Sequence, residues 1–400
     1  MIGKLALISS SLLLLPARAQ QPAPDTSSYK FSADIGKLLL SGTPGANQFA
    51  AWEYSYIGQY QAALEAWDTP RQPLRKLPTA DSAAFAALHG VPAHSYILGR
   101  ARTARIVIIN EAHHNPRHRA FTASLLPDLA GLGFRYFAVE GLNEQDSVLN
   151  QRGYPMLQSG FYTKEPQFSN LLRLAARTRY QLVPYDYGFS HAGDAGARVE
   201  GREMAQARNI QRILQADPQA KIVVHCGFSH LNEGPNGLGG QPAMARRLRE
   251  LTGIDPLTID QTELSESGTR GGENARYRLA RAAGSAVLLD DRQQPFTATG
   301  NDMTVDLMVF HPRTTYRAGR PTWVFGAGRR PVAVAGRVTV GFPCLVLAYA
   351  AGEALAQAIP VDVVELQRAR PPQQLALAPG KYTIVAKDQV GNQQTWPLNL

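Results

Sequence analysis

Cysteine is almost absent from this chain, with only Cys226 and Cys344 among 400 residues. Neither lies near the N-terminus, so lipid attachment through a processed N-terminal cysteine is excluded. The pair leaves two readings open, a single bridge in an oxidising compartment or two buried thiols. Long apolar runs are also missing beyond residues 5–15, which is too short a stretch to span a bilayer, and no transmembrane segment is expected. Clustered basic charge is lacking as well. The formal net charge is +9, but the arginines are scattered, with no run of basic residues longer than two. That pattern reads as a solvated basic surface and predicts no nucleic-acid partner. Neither a Gly-x-Ser-x-Gly elbow nor a His-Glu-x-x-His helix occurs, which leaves the serine-elbow and zincin routes without support.

What is present is globular in composition, 44% hydrophobic and 18% charged, and the length favours two domains, one of them sizeable. Residues 1–19 carry Lys4, a short apolar core and the ending Ala17-Arg18-Ala19. That order is the one found in a secretory signal peptide, and it predicts an exported, periplasmic or secreted protein that is not a lipoprotein. Residues 20–47, rich in Pro, Ser, Gln and Gly, read as a linker. Phe49, Trp52, Tyr56, Tyr60, Ala63 and Trp67 then recur at helical spacing and predict one amphipathic helix running through Gly58.

The chain is organised around residues 105–118, Arg-Ile-Val-Ile-Ile-Asn-Glu-Ala-His-His-Asn-Pro-Arg-His. A buried strand ends abruptly in ionisable residues, and Asn115 and Pro116 fit the N-cap and first position of a helix whose positive end points at the same crevice. The pattern repeats. Strands at 135–139, 181–185, 221–224 and 257–259 are followed by Glu140, Asp186, His225 with His230, and Asp260, and helical patterns separate them. Such alternation predicts an α/β fold, a mostly parallel sheet flanked by helices, over residues 48–328. Beyond residue 329 helical periodicity is scarce, and the valine-rich tail reads as a small C-terminal β-sandwich-like domain, 329–400.

In such sheets ligands bind beyond the carboxyl ends of the strands. Strands ~4.8 Å apart bring neighbouring ends within reach of one another, so Glu111, His113, His114, Glu140, Asp186, His225, His230 and Asp260 should gather along one edge. Two chemistries suit them. A histidine held by a carboxylate can take a proton from water while an arginine and the helix end receive the oxyanion. Alternatively, His and Glu can hold a divalent cation that supplies the hydroxide. Arg202, on the helix read at 196–215, is the arginine placed to stabilise substrate charge.

These motifs, in this order, resemble the erythromycin esterase-like and ChaN-like superfamily, which includes the Tiki/TraB proteins. Residues 110–114 are similar to its Gly-Glu-x-x-His motif, with Asn110 in place of glycine. Residues 134–140 resemble its next strand and second glutamate, Arg202-Glu203-Met204-Ala205 with Asn209 its helix motif, and Gly227-Phe228-Ser229-His230 its late histidine loop. The resemblance implies hydrolysis of an ester, lactone or amide in a small-molecule or peptide substrate. It implies His114 as general base, Glu111 as its orienting acid, Glu140 as second acid and His230 as ligand or proton shuttle. It also implies either no cofactor or one divalent metal (Mn, Co or Zn) on Glu111, His114 and His230. ChaN-like relatives bind haem, which here would use Tyr185 or Tyr187, and a non-catalytic exported scaffold is the remaining alternative.

Overall fold

The computed structural model describes residue 26 and residues 28–69, 78–297, 304–368 and 373–400. The expected signal peptide at 1–19 lies outside them.

Eight strands form the main sheet: β1 (His89–Pro92), β2 (Ile106–Glu111), β3 (Tyr136–Val139), β4 (Gln181–Pro184), β5 (Ile222–Gly227), β6 (Leu257–Asp260), β7 (Ala286–Leu289) and β8 (Leu307–Phe310). Their order across the sheet is β1-β7-β8-β6-β2-β5-β3-β4. The run from β8 to β4 is parallel, whereas β7 pairs antiparallel with both β1 and β8. The mostly parallel α/β sheet therefore stands as expected. The short strand β1 was not foreseen, because its four residues, His-Gly-Val-Pro, carry no strand pattern.

Both faces of the sheet are covered, which is why its strands read as continuous apolar runs. Val107 and Ile109 join a core with Leu125, Leu129, Leu171 and Leu172, while Ile106 and Ile108 join another with Ile210, Val224 and Leu248. Alternation along β2 puts Glu111 on the face of Val107 and Ile109, and Asn110 on the other.

The N-terminal region differs from its expectation. Residues 32–39 form a helix, and Tyr29, Phe31 and Ile35 are buried, so the described part of 20–47 is packed chain rather than a tether. The predicted single helix is two, Ala46–Tyr56 and Tyr60–Trp67. Between them Gly58 takes φ +74°, and a Cβ there would sit 2.6 Å from Arg320 Nη1. The aromatic periodicity survives the break because both helices lie against the same apolar surface. That surface is the C-terminal antiparallel sheet of Cys344–Ala350, Asp362–Leu366, Lys381–Asp388 and Gln393–Asn399. Ile35, Ala51 and Ile57 share a core with Leu345, Leu347 and Val363. A second pair, Arg330–Ala333 with Gln374–Leu377, completes the all-β tail. The boundary at 328 thus separates secondary-structure types but not cores. Cys226 and Cys344 are both buried free thiols. Among the described residues no helix is long and apolar enough to cross a membrane.

Candidate functional site

Glu111 closes β2 at 1% exposure and is the hub of the site. Arg119, one turn into the helix Pro116–Gly131, grips both of its oxygens, Nε to Oε2 at 2.7 Å and Nη2 to Oε1 at 2.6 Å. His113 Nδ1 donates to Oε1 at 2.8 Å, and His225 Nε2, from the adjacent strand β5, donates to Oε2 at 2.8 Å. Burial opposes the ionised form, but Arg119, His225 and His113 together hold the Glu111 pKa well below its ordinary value. Arg119 is itself fully buried, bonds Glu165 Oε2 at 3.0 Å and the His113 carbonyl at 3.0 Å, and lies 4.9 Å from the Phe168 ring centre.

Because the Glu111 carboxylate only accepts, His113 Nδ1 carries the proton of that hydrogen bond and Nε2 is the nitrogen left facing away from Glu111. That nitrogen lies 3.9 Å from Glu140 Oε1. His230 Nε2 lies 3.6 Å from the same oxygen, while its Nδ1 is held at 2.7 Å by Glu203 Oε1. Two carboxylate-oriented imidazoles therefore face one oxygen of Glu140. Burial works against a charged His230, but Glu140 and Glu203 outweigh it and raise its pKa. Glu140 is also buried. Its neighbours His230, His113 and Arg202 and the Gly227 N–H offset the burial and keep its pKa below the ordinary range. Tyr162 stacks on His113 at 4.1 Å.

Two backbone features make room for this cluster. A Cβ at Gly227 would fall onto the His113 imidazole and 3.2 Å from Glu140 Oε2. The next residue, Phe228, is held at φ +42°, an outlier for a bulky side chain. Its ring meets His113 edge-on at 5.3 Å and stacks on Trp67 at 5.4 Å. Strain of this kind tends to concentrate at functional sites.

The structure brings Glu111, Glu140 and His230 to the site as expected, but the imidazole on Glu111 is that of His113. His114 turns the other way. Its ring stacks on Trp67 at 4.1 Å and 9°, and its buried Nδ1 has no hydrogen-bond partner among the described residues. The set Glu111, His114 and His230 does not fit a metal centre, since four N–H bonds already occupy the two Glu111 oxygens. Arg202 is committed to Glu140 Oε1 at 2.7 Å and to Asp186, through Nε at 2.9 Å and Nη2 at 2.7 Å. It therefore positions an acid rather than waiting for substrate charge. Tyr185, one of the two haem candidates, is buried with its hydroxyl donating to the His225 carbonyl at 3.3 Å. Asp260 organises a turn, accepting from Asn110 Nδ2 at 2.6 Å, Thr262 N at 3.2 Å and Glu263 N at 3.0 Å. Asn110 ties β2 to that turn and to the Phe228 carbonyl at 2.7 Å.

No protein-family model matches this chain, and no curated protein matches it. Solved structures that it resembles include the type III effector HopBA1, at 13% identity and a TM-score of 0.36 over 56% of this chain and 96% of that one. RRSP, a MARTX toxin effector domain from Vibrio vulnificus, gives 15%, 0.33, 59% and 46% in the same order. The C-terminal region of Pasteurella multocida toxin, described as holding a thiol-protease like catalytic triad, gives 11%, 0.32, 88% and 55%.

Sequence reading missed Arg119, Glu165 and Tyr162. Arg119 had one usable signal: a residue in the first turns of a helix that starts at a strand end points back toward that end. Glu165 precedes Pro166 and caps its helix, accepting from Phe168 N at 2.7 Å. Tyr162, in an irregular loop, had none. Around the buried centre lie open cavities. One of about 350 Å³, bordered by Phe189, Arg198, Val199 and Leu238, reaches it through Arg202 and Glu203. Another, of about 360 Å³, lies on the far side of Phe228, next to His114 and Trp67.

Proposed function

We propose that this chain is an exported hydrolase of the erythromycin esterase/ChaN-like type that cleaves an ester, lactone or amide by acid–base catalysis. The observation that carries the reading is the pair of carboxylate-oriented imidazoles, Glu111 with His113 and Glu203 with His230, turned toward one oxygen of Glu140. His113 Nε2 takes a proton from water as the water oxygen attacks the carbonyl carbon, and Glu111 stabilises the imidazolium that forms. His230, protonated between Glu203 and Glu140, donates its Nε2 proton to the departing oxygen or nitrogen as the bond to carbon breaks. Glu140 keeps the acid charged, and Arg202 keeps Glu140 ionised and in place. The separations of 3.6 and 3.9 Å from Glu140 exceed a direct hydrogen bond, so both Nε2 atoms can turn to a substrate.

The test is a panel of chromogenic esters, lactones and anilides offered to the purified chain and to His113→Ala and His230→Ala. Hydrolysis that falls about 10²–10⁴-fold in each variant, with circular dichroism unchanged, is expected for a general base and a general acid. Activity that survives His113→Ala overturns the assignment, as does stoichiometric Mn, Co or Zn that Glu111→Ala removes. Cell fractionation with cleavage mapping at Ala19 tests export.

A further inference from the structure

The cavity beside His114, about 360 Å³, adjoins another of about 260 Å³, and the two share Phe228, Thr262 and Glu263 as walls. Their chemistry differs from that of the cavity near Arg202. Among the described residues neither is lined by lysine or arginine. Carboxamides and hydroxyls outnumber the carboxylates Asp68, Glu263 and Glu266, with Asn115, Ser265 and Asn274 in the larger cavity and Ser229, Asn232 and Asn236 in the smaller. An anionic ligand would find no countercharge there and would meet carboxylates. Side chains that both donate and accept suit a ligand whose own groups do the same.

Two further features narrow the class. Trp67 and Phe228 lie within 14° of parallel and border the larger cavity; His114 covers one face of Trp67, and the aromatic surface that remains is of the kind that the C–H face of a pyranose ring covers. Within the cavity wall His114 is 6% exposed and carries a buried Nδ1 with no partner among the described residues. Burial first, then His118, His113 and Arg119, hold its pKa well below the ordinary value, so the ring is neutral and offers one donor and one acceptor. An orphaned polar atom in a buried wall calls for a partner. A peptide fits less well. Strands β2, β5 and β6 beneath the cavities are each paired on both sides, so no open strand edge offers the main-chain ladder by which extended peptides are held.

We propose that the two adjoining cavities bind a neutral saccharide of at least two rings, one against Trp67 and Phe228 and the next over Ser229 and Asn236. The site is separate from the His113–Glu140–His230 centre and does not depend on the hydrolytic reading, although a ligand held there lies one aromatic ring away from His113. The test is an array of immobilised neutral oligosaccharides probed with the full chain, followed by calorimetry with the tightest free sugar. Saturable binding of a neutral oligosaccharide with a change in tryptophan fluorescence is expected. His114→Phe, which keeps the ring stack but removes the nitrogens, should weaken it about fivefold to tenfold, the worth of one hydrogen bond. Asn236→Ala, at an exposed position that the fold tolerates, should weaken it about twofold to fivefold. Absence of binding across the array, binding confined to charged sugars or peptides, or affinities unchanged in both variants overturns the proposal.

Discussion

Replacing Arg119 by methionine removes the cation that neutralises Glu111 and leaves its carboxylate buried with only two imidazole donors. The guanidinium makes four hydrogen bonds at 3.0 Å or less, to Glu111, Glu165 and the His113 carbonyl. Breaking a buried pair by deleting one partner costs about 3–5 kcal/mol, because the remaining charge loses its compensation. For a cooperative unit of roughly 150–250 residues, each kcal/mol is worth roughly 2–4 °C, so the variant should melt about 6–20 °C lower in scanning calorimetry. Acid sensitivity should shift too. The Glu111 pKa is depressed in the folded chain, so its contribution to stability is present above the ordinary carboxylate value and is lost as pH falls through the folded one. Without Arg119 that loss begins at higher pH. A second substitution sharpens the test: Glu111→Gln in the Arg119→Met background removes the stranded charge, and the double variant should melt above Arg119→Met alone. Strictly additive losses, or a midpoint within 2 °C of the parent for Arg119→Met, would refute an ion-pair role for Arg119.

Two other substitutions probe the same centre from different sides. Gly227→Ala places a methyl group where the His113 ring now lies, so hydrolysis should fall at least about 10²-fold by displacement of the base, while urea unfolding shows a chain still folded; unimpaired turnover would sink the steric argument. Glu203→Gln withdraws one of the two carboxylates that raise the His230 pKa, so the alkaline limb of the pH–rate profile should move to lower pH. The linkage has the matching sign: stability from charged His230 is complete below its unfolded pKa and fades as pH rises through the folded one. An alkaline limb that stays put would remove His230 from the role of acid.

The sheet was legible because the parallel strands inside it, unlike the edge strand β4, are buried on both faces and end at or beside an acid or a histidine, a contrast that survives in one dimension. The choice between His113 and His114 was not. Beyond Glu111 the chain leaves the strand and turns, so the two-residue alternation that assigns faces no longer applies, and adjacent imidazoles look alike. What separates them is a pair of partners distant in sequence, Tyr162 for one and Trp67 for the other. Asp260 illustrates the opposite error: it occupies a strand end as an active-site acid would, yet Asn110 and the turn it caps consume its oxygens. The helix Ser32–Leu39 was hidden because the Pro- and Gly-rich residues on either side set the local composition, while the residue that matters, Ile35, finds part of its core, Leu345 and Leu347, about three hundred positions away.

That distance bears on how the chain is made. Tyr29, Phe31 and Ile35 emerge from the ribosome long before the strand bearing Leu345 and Leu347, which completes their core. Part of their native apolar cover is therefore missing until that strand is made, a state in which a nascent chain is open to chaperones and to aggregation. The parallel sheet can close once Phe310 has been made, but the layer joining residues 29–66 to residues 345–385 can close only later. A protein cut at residue 328 would be permanently in that unfinished condition.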